Sequence, residues 1–407
     1  MHVLEDYRKI VGTDVIGEIH KKAGSLYGSH ILHVNSTYQG GGVAEILSNL
    51  VPIMNDVGID AGWRILHGTP DFFTITKKFH NALQGEPIHF TERKKRLYYQ
   101  ANGDFSTYTH IDHDCVIIHD PQPLPLIRFY RKRQPWIWRC HVDLSNPDQN
   151  LWDFLTDFIL RYDKVVLSNV NYKKMDLPVD QMIIYPAIDP LSPKNMEIPE
   201  KDALMCLKKF GIKADKPLIT QISRFDKWKD PEGVIRVFRL VKKEADCRLV
   251  LCGNMATDDP EGPKIYRRVL KKGNDLIESG DLIVITDPAS SNSFFINALQ
   301  RISAVIIQKS TKEGFGLTVT EAMWKGKPVV ASNIGGIPLQ ITDGESGFLI
   351  TPHGADGFAD MITKLLQDPD LAERIGHNAR EKVLKEFLIT RLLGDYLDLL
   401  SEMLENR

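Results

Sequence analysis

The sequence predicts an α/β protein with two doubly wound, Rossmann-like domains facing a cleft. Three observations predict this class. Short apolar runs alternate with helical patterns along most of the chain, several runs are apolar at every position, and a polar, proline-containing stretch (190–200) separates two such series. Continuous apolar runs are typical of parallel strands buried on both faces. Strands separated by helices form βαβ units, so we expect two parallel sheets.

The candidate strands fall into two series. The first contains HILHVNS (30–36), DAGWRIL (60–66), CVIIHDP (115–121), WIWRCHV (136–142), KVVLSN (164–169) and MIIYP (182–186). The second contains PLITQIS (217–223), RLVLCGN (248–254), LIVITDP (282–288), AVIIQKS (304–310) and PVVAS (328–332). The last segment, roughly 356–404, has a helical pattern throughout. Pro52 is expected to kink the helix after the first strand.

The charge balance and the cysteine pattern indicate which ligands and which cellular compartment to expect. Lys and Arg together number 51, and Asp and Glu together number 53. Because these charges nearly balance, we do not expect a protein that binds nucleic acid or an anionic membrane. No apolar run approaches the length of a transmembrane helix, and the first residues lack the apolar core of a signal peptide. Five scattered cysteines fit a reducing compartment. We therefore expect a cytoplasmic protein that binds small molecules.

The first loop with chemical content is Gln39–Glu45, which contains Gly40, Gly41 and Gly42. Consecutive glycines let the backbone approach a ligand closely and direct amides at it. The loop lacks the third glycine of a dinucleotide fingerprint and the Lys-Ser/Thr of a P-loop. We favour contact with an anion or a sugar over a simple tight turn.

Two further loops of the first series end predicted strands with polar residues. His119, Asp120 and Gln122 follow one strand, where they form either a hydroxyl-binding group or a common proline-rich turn. Strand alternation puts Arg139, His141 and Asp143 on one face of the next. Three polar residues on a buried strand form either an internal network or the lining of a cleft. We favour the cleft, because the strand ends there.

Two loops of the second series carry charge. Arg224, Lys227 and Lys229 follow its first strand, and such a cluster beside a helix start is typical of a phosphate site. Glu313 lies in the loop Glu313-Gly314-Phe315-Gly316-Leu317-Thr318, which opens a helix, and Glu321 is expected about two turns into that helix. A helix start can hold a phosphate while carboxylates hold sugar hydroxyls. The alternatives are a helix-capping role for Glu313 and a solvated Glu321.

No metal site is expected. The DxD triplets at 112–114 and 368–370 precede a predicted strand and lie in a predicted turn, respectively. No His or Cys cluster has the spacing of metal ligands.

These motifs together resemble the retaining GT-B glycosyltransferases of family 4. Glu313 and Glu321 match the E-x7-E signature, Arg224 and Lys229 match the basic diphosphate pair, and His141 matches the histidine of the N-terminal domain. The resemblance covers nearly the whole chain. The strings HVNSTYQGGGVAEIL, KKFHNALQG, HDPQP, WRCHVDLS and EGFGLTVTEAMWKGKPV are similar to the trehalose glycosyltransferring synthases within that family.

The resemblance implies that one domain binds the acceptor and the other binds the nucleotide sugar. Residues 1–188 with 387–407 would form the acceptor-side domain, and 189–386 the nucleotide-sugar domain. The donor, UDP- or ADP-glucose, would contact Gly41 and Gly42 and the second-domain residues Arg224, Lys229, Glu313–Thr318 and Glu321. His141, Glu313, Arg224 and Lys229 would be catalytic, and we expect Asp120, Gln122 and Asp143 to bind the acceptor.

The implied reaction joins glucose from the nucleotide donor to free glucose, giving α,α-trehalose, and is reversible. No cofactor is required, and the family's assembly implies a homodimer. Several alternatives remain open: a trehalose phosphorylase, another family-4 hexosyltransferase, a sugar-nucleotide epimerase of the same fold, and a non-catalytic sugar- or nucleotide-binding module. The last is disfavoured because both carboxylates and both cations are present.

Overall fold

The computed structural model describes residues 2–38, 41–253, 262–286 and 292–405. The chain divides into two compact units, one formed by Met1–Ala187 with Ile389–Arg407 and the other by Ile188–Leu388. Gln39 and Gly40 of the glycine-rich loop lie outside the described residues, as do the predicted strand ends at 254 and 287–288.

The first unit contains a parallel sheet. Among the described residues its strands are β1 (His30–Asn35), β2 (Asp60–Ile65), β3 (Cys115–His119), β4 (Trp136–Arg139), β5 (Lys164–Leu167) and β6 (Asp180–Ile183). They lie in the order β2-β1-β3-β4-β5-β6. Every residue of β3 and β4 is buried, as expected for strands covered on both faces. The order reverses between β1 and β3, and ligands of open parallel sheets bind at such a switch point.

Helices surround this sheet. They are α1 (Arg8–Val11), α2 (Thr13–Gly24), α3 (Gly42–Asp56), α4 (Pro70–Leu83), α5 (Glu92–Tyr108) and α6 (Gln149–Ile159), with 3₁₀ turns at Leu4–Tyr7, Leu124–Phe129 and Val170–Tyr172. Pro52 lies inside α3, which is assigned as one helix from Gly42 to Asp56.

The second unit contains another parallel sheet. Its described strands are β7 (Leu218–Ile222), β8 (Arg248–Cys252), β9 (Leu282–Ile285), β10 (Val305–Gln308), β11 (Val329–Ser332) and β12 (Phe348–Ile350). Their order, β12-β11-β10-β7-β8-β9, has its reversal between β7 and β10. This is the arrangement of a dinucleotide-binding fold, whose ligand crevice lies beyond the carboxyl ends of the strands at the reversal.

The remaining helices belong to both units. Those of the second unit are α7 (Glu200–Lys209), α8 (Pro231–Val241), α9 (Gly262–Lys272), α10 (Asn274–Glu278), α11 (Ser293–Ile302), α12 (Leu317–Trp324), α13 (Ile337–Gln340), α14 (Ala355–Gln367) and α15 (Pro369–Glu386), with a 3₁₀ turn at Lys227–Lys229. The final helix, α16 (Ile389–Glu405), packs on α2 and α3 of the first unit. Among the described residues, no helix combines the length and the apolar character needed to cross a bilayer.

The prediction that two parallel-sheet α/β domains form the chain is confirmed. Several details of the strand prediction were wrong, including β6, which spans Asp180–Ile183 rather than the predicted 182–186. β12 has three residues and was not predicted. The run WIWRCHV was expected to be one strand over 136–142, but β4 ends at Arg139. His141 and Asp143 therefore lie in the loop beyond the strand, where strand alternation does not fix their orientation.

Candidate active site

The loops after β7 and β10 meet at the switch point of the second sheet. These strands are neighbours, with Ile219 paired to Val305 and Thr220 to Ile306. Beyond the strands, the N–H of Thr311 donates to the carbonyl of Trp228 at 2.7 Å. The ammonium of Lys229 forms an ion pair with the carboxylate of Glu313. The structure thus brings together a cation and a carboxylate that are 84 residues apart in sequence.

Glu313 lies among polar side chains. Its Oε2 accepts from the hydroxyl of Ser310 at 3.2 Å and from the amide of Gln308 at 3.5 Å, besides contacting Lys229. The side chain is 10% exposed. The N-cap of α12 is Gly316, and Glu313 lies in the loop before it.

The start of α12 is shaped by two glycines. Gly316 has a φ of 89°, a left-handed conformation that glycine adopts without steric cost. Gly336 packs so closely that a Cβ there would lie 2.7 Å from the Cα of Phe315 and 2.8 Å from the carbonyl oxygen of Gly314. The first N–H groups of a helix, here at Leu317 and Thr318, have no intrahelical acceptor and attract anions. The segment from Gly314 to Thr318 is therefore suited to a phosphate.

The basic loop after β7 has a defined local structure. Asp226 is buried, and its Oδ1 accepts from the N–H of Trp228 at 2.6 Å. The guanidinium of Arg224 lies 3.6 Å from Asp226 Oδ2 and is 41% exposed. Lys227 places its ammonium 4.8 Å from the ring centroid of Trp228. Arg224 thus keeps an exposed guanidinium while Lys229 lies against Glu313.

Glu321 differs from both expectations made for it. It is the fifth residue of α12, just over one turn from the helix start rather than two, because the helix begins at Leu317. It is also 3% exposed, which contradicts a solvated side chain. Its Oε1 lies 3.4 Å from the ammonium of Lys194.

Among the described residues, no group of three or more His, Cys, Asp or Glu side chains is arranged to hold a metal ion.

In the first unit, Asp120 holds the backbone around His141. Asp120 has a φ of 63°, an uncommon conformation that Asp tolerates better than most residues. Its Oδ1 accepts from the N–H of His141 at 2.8 Å, its N–H donates to the carbonyl of Arg139 at 2.9 Å, and its carbonyl accepts from Trp138 Nε1 at 3.0 Å. Such a conformation persists where surrounding bonds over-determine it.

Burial raises the pKa of Asp120 to about 6, although the bond from the His141 N–H and the charge of Arg139 act to lower it. The folded pKa thus exceeds the unfolded one. The protonated carboxyl stabilises the fold below about pH 4, and this contribution is lost as the pH rises through about 6.

His141 is a partly exposed residue, and its side chain is hydrogen-bonded to a second histidine. Its Nε2 lies 3.0 Å from Nδ1 of His119, and the two rings stack with centroids 5.4 Å apart. Burial, together with the positive charge of Arg139, lowers the pKa of His141 well below its usual value. The imidazole is therefore neutral at neutral pH.

The expected cleft role of Arg139 was wrong. Arg139 is 1% exposed, and its guanidinium donates to the carbonyls of Leu167 at 3.0 Å and Ile184 at 2.7 Å. The internal-network alternative holds for this residue because it lies within β4, where carbonyls of neighbouring strand ends surround it.

The other residues predicted for the first unit occupy different settings. Asp143 is buried, and its Oδ1 accepts from the N–H of Ser145 at 2.8 Å, which makes a local turn. Gln122 is partly exposed as a residue, but its Oε1 is buried and has no hydrogen-bond partner within the part of the chain that the structure describes. Gly41 is the extended N-cap of α3, and Gly42 is the first residue of that helix.

Two residues near these sites were not predicted. His33 lies in β1 and bonds to His119 at 3.0 Å, and Lys194 contacts Glu321. A histidine in the middle of the apolar run HILHVN was the available signal for His33. Lys194 lies in the polar stretch between the two series and gave no such signal.

The chain is similar to known proteins over nearly its whole length. Residues 33–174 match the family model "Trehalose synthase, N-terminal domain", and residues 207–382 match "Glycosyl transferases group 1". Trehalose synthase of Thermococcus litoralis is 48% identical over 402 residues, covering 98% of this chain and 96% of that protein. Trehalose phosphorylase of Grifola frondosa is 30% identical, covering 95% of this chain and 59% of that protein.

Solved structures establish the fold. The α,α-trehalose-phosphate synthase (UDP-forming) from Burkholderia xenovorans, in complex with glucose-6-phosphate, has a TM-score of 0.76 at 12% identity. The match covers 92% of this chain and 100% of that one. The predicted GT-B fold is thereby confirmed. With near-complete coverage by a relative at 48% identity, the chain belongs to the trehalose synthase family of GT-B glycosyltransferases.

Proposed function

We propose that the protein transfers glucose, with retention of the α configuration, from a nucleotide-diphosphate glucose to free glucose, giving α,α-trehalose. The observation that carries the proposal is the Lys229–Glu313 ion pair, which joins the loop that carries the exposed Arg224 to the loop before α12. Cations and helix amides suit a diphosphate, and a carboxylate beside them suits a sugar hydroxyl.

The bond that breaks joins the anomeric carbon to the diphosphate. Negative charge develops on the leaving oxygen and positive charge on the anomeric carbon. Arg224, Lys229 and the N–H groups at Leu317 and Thr318 stabilise the leaving diphosphate, a task for which two cations and a helix terminus supply several kcal/mol. No metal ion or other cofactor takes part in this proposal.

The two carboxylates have different tasks. Glu313 contacts the phosphate-binding Lys229, and we assign it to a hydroxyl of the donor glucose near the reacting carbon. Glu321 lies in α12 beside Lys194, and we assign it to the ribose hydroxyls. Retention follows from attack on the face that the diphosphate leaves, and the leaving phosphate accepts the proton of the acceptor hydroxyl.

The first unit supplies further contacts to the sugars. His141 binds the donor sugar through its side chain, on a backbone that Asp120 fixes. Gln122, whose Oε1 has no partner in the described part of the chain, binds an acceptor hydroxyl. Gly41 and Gly42 allow close approach at the start of α3.

UDP-glucose and ADP-glucose are both candidate donors. The Burkholderia relative of the fold is named as UDP-forming, which supports testing the uridine nucleotide first. That protein is bound to glucose-6-phosphate, so the phosphorylated acceptor needs testing beside free glucose.

A phosphorylase is the second candidate, because the Grifola frondosa enzyme is 30% identical over most of this chain. Phosphorolysis would convert trehalose and inorganic phosphate to glucose 1-phosphate and glucose, without a nucleotide. The two functions differ in whether a nucleoside diphosphate is needed to consume trehalose.

The experiment is product analysis with purified protein. UDP-glucose and ADP-glucose are each incubated with glucose, glucose-6-phosphate or no acceptor, and trehalose is incubated with UDP, ADP or phosphate. We expect α,α-trehalose, recognised by the α configuration at both anomeric carbons in NMR spectra, from a nucleotide donor and glucose. Trehalose consumption with phosphate alone would support the phosphorylase. Conversion of the nucleotide-sugar without an acceptor would support an epimerase.

A further inference from the structure

Three histidines form one hydrogen-bonded chain at the switch point of the first sheet. His33 Nδ1 lies 3.0 Å from His119 Nε2, and His119 Nδ1 lies 3.0 Å from His141 Nε2. Successive rings stack, with centroids 5.3 Å and 5.4 Å apart. His33 and His119 are 0% and 1% exposed, whereas His141 is partly exposed. The row of hydrogen-bonded histidines therefore runs from the buried His33 to the partly exposed His141.

The hydrogen bonds among the three histidines can run in either of two directions. A neutral imidazole has one N–H donor and one lone-pair acceptor, so the bond on one side of His119 determines the bond on the other. In one direction each ring is protonated at Nδ1, and His33 donates to His119, which donates to His141. In the reverse direction each ring is protonated at Nε2, and donation runs from His141 to His33. Burial lowers the pKa of His33 to about 3 and that of His119 well below its usual value, which supports neutral rings.

The buried end selects between the two directions. His33 Nε2 is buried and has no hydrogen-bond partner among the residues that the structure describes. The ring of Tyr396, from α16, lies 5.9 Å from the ring of His33. Buried backbone N–H groups without an acceptor are rarer in proteins than carbonyl oxygens left unsatisfied, and we apply the same preference to the imidazole. The direction that leaves a lone pair on His33 Nε2 is therefore favoured over the one that leaves an N–H there.

We propose that His33 and His119 are positioning residues that hold His141 in the Nδ1–H tautomer, so that His141 presents a hydrogen-bond donor to a sugar oxygen. His119 occupies His141 Nε2, which leaves Nδ1 as the nitrogen that faces away from the chain. In this tautomer Nδ1 donates and does not accept a proton. The inference rests on the proposed function for its sugar ligand, but the tautomer itself does not depend on it.

The first test reads the tautomer directly. The protein is labelled with ¹⁵N-histidine, and the signals of His141 are assigned by their loss in His141→Asn. Nitrogen NMR distinguishes a protonated from a lone-pair ring nitrogen. We expect a protonated Nδ1 and a lone-pair Nε2 in the wild-type protein. A protonated Nε2 on His141 would overturn the proposal, whatever reaction the protein catalyses.

The second test uses a matched pair of variants to reverse the direction of hydrogen-bond donation among the three histidines. His33→Asn keeps an N–H donor near the position of Nδ1, so the tautomer and kcat/KM should stay near wild type. When ionised, the carboxyl of His33→Asp offers acceptors alone, so a neutral His119 must donate to it and His141 should become protonated at Nε2. The same nitrogen spectrum checks that His119 carries a single proton. We expect kcat/KM for the nucleotide donor to fall about 10²-fold, as when one transition-state donor is lost.

The outcomes separate this proposal from the proposed function. His33→Asp with a reversed tautomer and unchanged kcat/KM would overturn the positioning role even in a protein that makes trehalose. If His33→Asp does not fold, His119→Asp imposes the same reversal on His141, with His119→Asn as its matched control. Failure of the wild type to transfer glucose would refute the proposed function, while the nitrogen spectrum would still decide the tautomer.

Discussion

Replacement of Glu313 by Gln tests whether the charge of this carboxylate takes part in the reaction. The variant keeps the size of the side chain and an oxygen that can accept from Ser310 and Gln308. It removes the negative charge that faces Lys229. If Glu313 stabilises positive charge on the anomeric carbon, kcat should fall by about 10²–10³-fold, the loss seen when one preorganised transition-state contact is removed.

Glu313→Gln should not weaken binding of the donor, although it lowers kcat. Two unit charges about 4 Å apart attract by roughly 4 kcal/mol at an effective dielectric constant of about 20. Lys229 and Glu313 are 16% and 10% exposed, so water screens this pair incompletely. In the proposed function, an incoming diphosphate would compete with Glu313 for Lys229. Without that competitor the donor KM should stay unchanged or fall, while kcat falls.

Loss of the ion pair should also lower stability. We expect the free energy of unfolding to fall by about 1–3 kcal/mol, less than for a fully buried pair, because water reaches Lys229. The melting temperature should accordingly fall by a few degrees. Glu345→Gln is the matched control, since it removes one charge from an exposed position in the same unit. It should leave kcat, KM and melting temperature near wild type.

Glu321→Ala provides the contrast within the carboxylate pair. Because we assign Glu321 to ribose hydroxyls, which are held in ground and transition states alike, its loss should raise the donor KM more than it lowers kcat. Steady-state kinetics of folded variants, with circular dichroism as a check, decides both cases. A wild-type kcat in Glu313→Gln would remove the catalytic assignment and leave this residue as the partner of Lys229. A lowered kcat with a wild-type donor KM in Glu321→Ala would refute the ribose assignment.

Three further predictions concern the phosphate site, the loop that forms it and the turn at Asp120. Arg224→Ala and Lys229→Ala should each lower turnover about 10²-fold or more, and EDTA should leave the wild-type rate unchanged; strict dependence on Mg²⁺ or Mn²⁺ would contradict a cation pair in this role. Gly336→Ala should lower melting temperature and turnover, because its Cβ would lie 2.7 Å from a neighbouring backbone Cα, whereas Gly17→Ala, with nothing within 4 Å, should not. Asp120→Asn cannot ionise, so its melting temperature relative to wild type should rise between about pH 4 and pH 6; a difference independent of pH would contradict the raised pKa.

The strands and the loops that carry charge could be predicted from local sequence. Runs such as CVII and VVL are apolar because both faces of their strands are covered, and the structure places them in β3 and β5. Ligand loops follow the carboxyl ends of such strands. The loops of Arg224 and Glu313 could therefore be found before their neighbourhood in space was known.

Contacts between distant segments could not be predicted in the same way. The Lys229–Glu313 pair depends on β7 lying next to β10, an order that local patterns do not determine. The His33–His119 bond spans 86 residues and likewise depends on β1 lying next to β3. Arg139 was assigned to a cleft because strand alternation gives its face but not what covers that face. Three-residue β12 is too short to give a periodic signal.

In the proposed function, the Lys229–Glu313 ion pair would couple binding of the donor to release of Glu313 for the sugar. Without a ligand, the cation assigned to the diphosphate and the carboxylate assigned to the sugar neutralise each other. A diphosphate carries more negative charge than one carboxylate, so it can draw Lys229 away from Glu313. Glu313 would then keep its contacts with Ser310 and Gln308 and gain freedom to bind a sugar hydroxyl. Binding of the phosphate and release of the carboxylate are thus one exchange of partners. It follows that Lys229→Ala should weaken donor binding and also alter how Glu313 is held, so the effects of Lys229→Ala and Glu313→Gln on kcat/KM should not add in the double variant.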